Sequence, residues 1–187
     1  MAPSKTFGPA EIQAAIARLA AAISERHPGK EALLLLGIAN GGIEMVRRVA
    51  AALSAAAPRL RIAHGVLDIS FHRDDIGRHP IPKEFAPTHI PNDVNGATIV
   101  LVDDVLFSGR TVKAALDEVF DHGRPTKVEL AVLVDRGGRR LPFAADYVGL
   151  AVTAGPGENV VVTLDPKNPR RDSVAVVRPV RAPQSAL

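Results

Sequence analysis

The chain has 187 residues, enough for one domain with a real hydrophobic core and too few for two ordinary ones. Apolar residues make up 47% and charged residues 23%, the balance of a soluble globular protein, and a net charge of +3 does not by itself point to a nucleic-acid partner. The absence of cysteine excludes disulfides, thiolate catalysis and thiolate-bound zinc. No apolar run approaches a membrane span and no secretory signal opens the chain, so a cytoplasmic protein with no membrane partner is expected.

Residues 11–25 place Ile12, Ile16, Leu19 and Ile23 at helical spacing on an alanine-rich background, and Pro28-Gly29 stops them. Residues 32–38 read as a buried strand, Gly41-Gly42 opens a helix over 43–57, and Pro58 ends it. Residues 61–71 alternate as a strand. Residues 72–95 contain Pro80, Pro82, Pro87 and Pro91 and little periodicity; they predict a long loop, with room for a short hairpin, of the kind that is functional or disordered. A wholly apolar strand over 98–102 precedes a helix over 109–121, closed by Gly123 and Pro125. A buried strand over 127–134 and shorter ones over 146–151, 159–164 and 173–177 follow. The expected organisation is one domain over 1–180 and a disordered tail over 181–187. Continuous apolar strands alternating with helices predict an α/β fold in three layers, a mostly parallel sheet with helices on both faces. Ligands in such folds sit beyond the carboxyl ends of the strands, here after Ile38, Val102 and Val134.

The segment after Val102 carries the chemistry. Two adjacent carboxylates, Asp103 and Asp104, end an apolar strand; a turn with Phe107, Ser108 and Gly109 leads through Arg110 and Thr111 into a helix. A turn at a helix N-terminus presents backbone N–H groups, the positive dipole end and two hydroxyls to an anion, and Gly109 lets the backbone approach closely. The carboxylates can accept hydrogen bonds from a vicinal diol or help hold hydrated Mg²⁺. Phosphate at one end and diol at the other describe a ribose 5-phosphate. The competing reading is a capped helix with no ligand.

The stretch 102–111 resembles the 5-phosphoribosyl 1-pyrophosphate (PRPP) motif of the type I phosphoribosyltransferases. Within them it is most similar to the PyrR family of pyrimidine operon attenuation regulators, which also have uracil phosphoribosyltransferase activity. The likeness extends through Asp68-Ile69-Ser70-Phe71-His72-Arg73-Asp74-Asp75, and resumes at 122–125, 130–137 and 141–149. It implies the type I fold with a small hood, Mg²⁺ as cofactor, and PRPP with uracil or UMP as ligands. It also implies a homodimer or higher homo-oligomer. By the same resemblance Asp103 and Asp104 are catalytic and hold the ribose, with Mg²⁺ reached through water. Residues Phe107, Ser108, Gly109, Arg110 and Thr111 hold the 5′-phosphate, and Ala39, Asn40, Gly41 and Gly42 form the pyrophosphate loop. Arg73 opens a flexible loop that closes over PRPP, and Asp135, Arg136, Tyr147 and Val148 lie near the base.

Departures from the family sharpen the alternatives. Asn40-Gly41-Gly42 lacks the basic residue usual in the regulators' pyrophosphate loop, a charge-assisted contact, and looks more like the loop of the 6-oxopurine enzymes. Phe107 occupies the position where the purine enzymes usually have Asp, so a pyrimidine is favoured, with a purine phosphoribosyltransferase as an alternative. The other alternative is a nucleotide-sensing regulator with weak or no catalysis. RNA, the family's second partner, is expected to bind weakly: Arg18, Arg26 and Arg139 remain, but Gly138, Ala144 and Leu150 stand where basic or polar residues are common.

Overall fold

The computed structural model describes residues 5–29, 32–72 and 87–178. Arg73, most of the proline-rich loop and the 181–187 tail lie outside these residues.

The chain opens with β1 (Lys5–Phe7), a three-residue strand too short to leave a periodic signal, and enters α1 (Pro9–Arg26). Helix α1 starts earlier than its apolar pattern because Pro9 suits the first turn and the Glu11 carboxylate accepts a hydrogen bond from the Gly8 N–H at 2.9 Å. Next come β2 (Ala32–Ile38), α2 (Gly42–Ala56) and β3 (Arg61–Leu67). Strand β3 ends four residues before the predicted 71. The Asp68 carboxylate accepts hydrogen bonds from the Ser70 N–H and hydroxyl, which bends the chain into a single 3-10 turn, Ser70–His72. The remaining elements are β4 (Thr98–Leu106), α3 (Arg110–His122), β5 (Lys127–Asp135), β6 (Tyr147–Ala151), β7 (Asn159–Thr163) and β8 (Ser173–Val177).

Strands β3-β2-β4-β5-β6 form, in that order, a wholly parallel five-stranded sheet. Alternate residues of the central strands divide between two cores. Leu33, Leu35, Val100, Val102 and Leu133 pack under α1 and α2, whereas Leu34, Leu36, Ile99, Leu101 and Val132 pack under α3. This is the three-layer α/β arrangement. Burying one such Leu or Val contributes about 2 kcal/mol, which is why continuous apolar runs specify central strands.

Strands β1, β8 and β7 form a separate antiparallel hood. Arg48 of α2 fastens it: its guanidinium donates to the buried Asp172 carboxylate, to the Asp165 carbonyl at 2.8 Å and to Glu44 at 2.8 Å. Among the described residues, no helix is long and apolar enough to cross a membrane.

Candidate active site

Strand β2 pairs with β4 only as far as Gly37 opposite Val102, while β4 runs on beside β5 to Leu106. Asp103 and Asp104 therefore lie inside a strand, not at its end as predicted, at the level where β2 ends, which in parallel sheets of this kind is where the ligand crevice opens beyond the strands. The polar pair breaks the hydrophobic pattern without breaking the β4–β5 ladder. Successive strand residues face opposite sides. Asp104 lies against the start of α2, and Asp103 is buried, with its carboxylate accepting a hydrogen bond from the Asp104 N–H at 2.9 Å.

The crevice is closed from one side by residues 39–42. The Ala39 N–H donates to the Leu67 carbonyl at 2.9 Å, the Ile43 N–H donates to the Asn40 carbonyl, and the Ala39–Asn40 peptide is cis. A Cβ on Gly41 would stand 2.4 Å from the Asp104 carboxylate, and one on Gly42 2.3 Å from the Val102 carbonyl. Only glycines let this loop lie against β4, so the predicted pyrophosphate loop and the carboxylate pair share one wall.

No basic side chain among the described residues is paired with either acid. Burial, and then the Asp104 charge, hold the Asp103 carboxyl well above the usual range; burial also raises Asp104. The pair therefore suits a ligand that brings hydroxyl donors or positive charge, and its all-oxygen donor set fits a hard cation such as Mg²⁺.

Beyond Leu106 the chain turns sharply. Gly109 adopts φ +90° ahead of α3, and the Lys113 N–H donates to its carbonyl. The Ser108 carbonyl accepts from the N–H groups of Arg140 and Leu141, and the Ser108 hydroxyl lies 3.3 Å from the Arg110 N–H. Residues 107–111 thus form a fixed cup over the N-terminus of α3, with Thr111 exposed at the helix's first turn.

Arg139 sets this cup. Its guanidinium donates to the Leu106, Phe107 and Phe143 carbonyls at 3.2, 2.9 and 3.0 Å, and to the Asp135 carboxylate at 2.6 Å. The sequence placed Arg139 on an RNA face, but tertiary contacts turn it inward. Arg18 and Arg26 are likewise engaged within the chain, with the Gly149 carbonyl and with Glu129 and Asp146.

Asp135 and Arg136 lie beside this cup. The Arg136 guanidinium lies 3.9 Å over the Phe107 ring and donates to the Glu158 carbonyl at 3.0 Å, bringing the start of β7 to the cup. The ring also meets Gly138, at φ +74°, where a Cβ would lie 2.7 Å from Phe107. Gly138 is thus required by the Phe107 contact, whereas the sequence reading treated it as a lost basic residue. Sequence reasoning missed Glu158 altogether; it meets Arg136 only through the hood.

Tyr147 does not join the site, which corrects its assignment to the base pocket. It is buried on the α1 side, and its hydroxyl donates to Glu129 at 2.8 Å and lies 3.4 Å from His27. Glu129 and Asp135 sit near opposite ends of β5, six residues or about 20 Å apart. Val148 is exposed on the edge strand, in register with Val132 and short of Asp135. Arg73 lies outside the described residues.

Comparisons with known proteins agree with this geometry. Residues 9–166 match the phosphoribosyl transferase domain family. A relative from Roseiflexus sp. (strain RS-1), named bifunctional protein PyrR, is 46% identical over 90% of this chain and 91% of its own. Another of the same name from Chloroflexus aurantiacus is 48% identical over 82% of this chain and 84% of its own. The fold is shared with a hypoxanthine-guanine phosphoribosyltransferase from Bacillus anthracis, with a TM-score of 0.68 at 19% identity over 95% of this chain and all of that one. A buried acid pair, a glycine loop against it and a helix-capping cup thus coincide with a match across most of the sequence: the chain belongs to the phosphoribosyl transferase domain family, among the bifunctional PyrR proteins.

Proposed function

We propose that this protein transfers phosphoribose from PRPP to uracil, releasing pyrophosphate and UMP. The observation that carries this reading is one crevice formed by the Asp103–Asp104 pair, the Gly41–Gly42 loop packed on it, and the 107–111 cup at the head of α3. In the reaction a base nitrogen bonds to ribose C1, the C1–oxygen bond to pyrophosphate breaks, and the base loses its N–H proton. The transition state is oxocarbenium-like, so the protein's task is orientation and charge stabilisation.

In this reading Asp103 and Asp104 accept hydrogen bonds from the ribose diol, and their charge favours the cationic sugar. The backbone N–H groups of the cup, with Ser108 and Thr111, hold the 5′-phosphate. Residues Ala39, Asn40, Gly41 and Gly42 offer main-chain groups to the pyrophosphate, and Arg73 adds a guanidinium to it. Mg²⁺, held near Asp103 and Asp104 through water, supplies charge neutralisation to PRPP when bound. Asp135, Arg136 and the Phe107 ring form the wall for the base, joined by Glu158 in the place first given to Tyr147. A phosphorylated sugar as co-substrate goes with a cytoplasmic setting.

A steady-state assay with PRPP, Mg²⁺ and either uracil or hypoxanthine tests the reading. Turnover with uracil supports it. Turnover only with hypoxanthine assigns a purine enzyme, and nucleotide binding without turnover leaves a sensor. We propose further that RNA binds weakly, because Gly138, Ala144 and Leu150 carry no charge and Arg139 is held by internal contacts, while Arg18 and Arg26 each also contact the chain. Nanomolar, sequence-selective binding to a pyrimidine-operon leader hairpin would reverse that.

A further inference from the structure

Away from the crevice, the fold brings together residues that the sequence keeps 46 positions apart. His72 closes the 3-10 turn after β3, its backbone N–H donating to the Ile69 carbonyl at 3.0 Å. Its Nε2 lies 3.0 Å from Glu118 Oε2 and 3.3 Å from Asp121 Oδ2. Glu118 and Asp121 are one turn apart on α3, and the three donor atoms lie within 4.8 Å of one another. We propose that His72, Glu118 and Asp121 form a binding site for a borderline divalent cation of the zinc class.

The distances favour this reading. Zinc bonds of about 2.0–2.1 Å to nitrogen and oxygen give tetrahedral donor–donor edges of about 3.3 Å. The two His72 distances match that edge, and the third closes by a small rotation of the exposed Asp121 side chain. Glu118 is oriented from outside, as metal-ligating carboxylates are. Its other oxygen accepts from the Thr88 hydroxyl at 2.6 Å and lies 3.2 Å from His122 Nε2. Charge points the same way: two carboxylates beside one imidazole match a divalent cation. An imidazole in the set selects zinc-class ions over Mg²⁺. The site is separate from the phosphate cup, because Glu118 lies eight residues, or about 12 Å, along α3 from Arg110. With three protein ligands it leaves a fourth position for water. It would tie the turn after β3 to the far end of α3.

The test uses the full chain after chelator treatment, titrated with Zn²⁺ by calorimetry and with Co²⁺ by visible absorption. One high-affinity Zn²⁺ per chain, a Co²⁺ spectrum of tetrahedral intensity and a rise in Tm with Zn²⁺ that Mg²⁺ does not give are the expected results. His72→Gln and Asp121→Asn should each weaken Zn²⁺ at least about tenfold, with Tm in chelator close to that of the parent. Asp121 is exposed, so its variant folds even if the other does not. Asp103→Asn with Asp104→Asn should keep the zinc affinity, which separates this site from the active crevice. No zinc binding, or zinc binding that neither His72→Gln nor Asp121→Asn weakens, overturns the proposal.

Discussion

The two ends of the parallel sheet bury acids for opposite purposes. At the carboxyl end, Asp103 and Asp104 stand side by side without a basic partner among the described residues; burial raises the proton affinity of both, and the Asp104 charge raises that of Asp103 further. At the amino end, burial also pushes Glu129 up, but hydrogen bonds from Lys127, His27 and Tyr147 more than reverse it, bringing its pKa to about 2. Burial with Glu129's charge beside it raises the Tyr147 phenol in turn. Desolvation is common to both ends, and partners decide the sign. The amino end is satisfied and stabilises the fold. The carboxyl end is left wanting hydroxyl donors and positive charge, which the proposed sugar phosphate and its cation would supply.

Replacing the acids tests that contrast most severely. Asp103→Asn combined with Asp104→Asn should lower kcat/KM for PRPP by about a thousandfold or more while the protein stays folded by circular dichroism; unchanged PRPP affinity in calorimetry would refute the assignment. The opposite result is expected at the other end. Glu129→Gln should cost about 3 kcal/mol of stability because it strips partners from buried and half-buried groups, lowering Tm by about 6–12 °C in a chain of this size, with kcat in the folded fraction near that of the parent. The sign with pH follows from the lowered pKa. Glu129 stabilises above its ordinary range near 4.5 and loses that contribution as pH falls towards 2. Denaturation of parent and variant should therefore converge between pH 5 and 2, and curves that stay parallel there would count against the ion-paired Glu129.

A smaller effect is expected where the loop meets the acid pair. Gly41→Ala puts a Cβ 2.4 Å from the Asp104 carboxylate and must displace one of them. A loss of about a hundredfold in kcat/KM is expected for such a misplacement, with little change in Tm because residue 41 is exposed. The smallest change separates the ends by its direction. Asp103→Asn alone should raise stability by about 1 kcal/mol at pH 7–8. An acid whose folded pKa is raised costs the native state more as pH rises through that value, so the gain should grow with pH in urea denaturation and vanish in acid. A loss of stability at pH 8 would mean that the Asp103 carboxylate is better partnered than its surroundings indicate.

The hood follows a different logic from the sheet. β1 and β8 meet from the two ends of the chain, and Arg48 of α2 secures them through Asp172 and Asp165. Local sequence shows none of that convergence, and β1, at three residues, carries no period to read.

Sequence alone determined the layer order and singled out the segment beyond Val102 as the candidate site. The apolar runs over 32–38 and 98–102 and the largely apolar 127–134 specify strands buried on both faces, and the Asp-Asp, Ser-Gly pattern follows the second of them on its carboxyl side. These are local facts of hydrophobic period and turn chemistry. Tertiary structure decided what depends on partners far along the chain: that β4 continues through its acids because β5 pairs with it, that Arg139 braces the 107–111 cup, that Phe107 meets both Arg136 and Gly138, and that Tyr147 serves the amino end of the sheet. Which end of a strand a side chain serves, and whether a charge meets solvent or a carbonyl, follow from packing, and no period in the sequence records them.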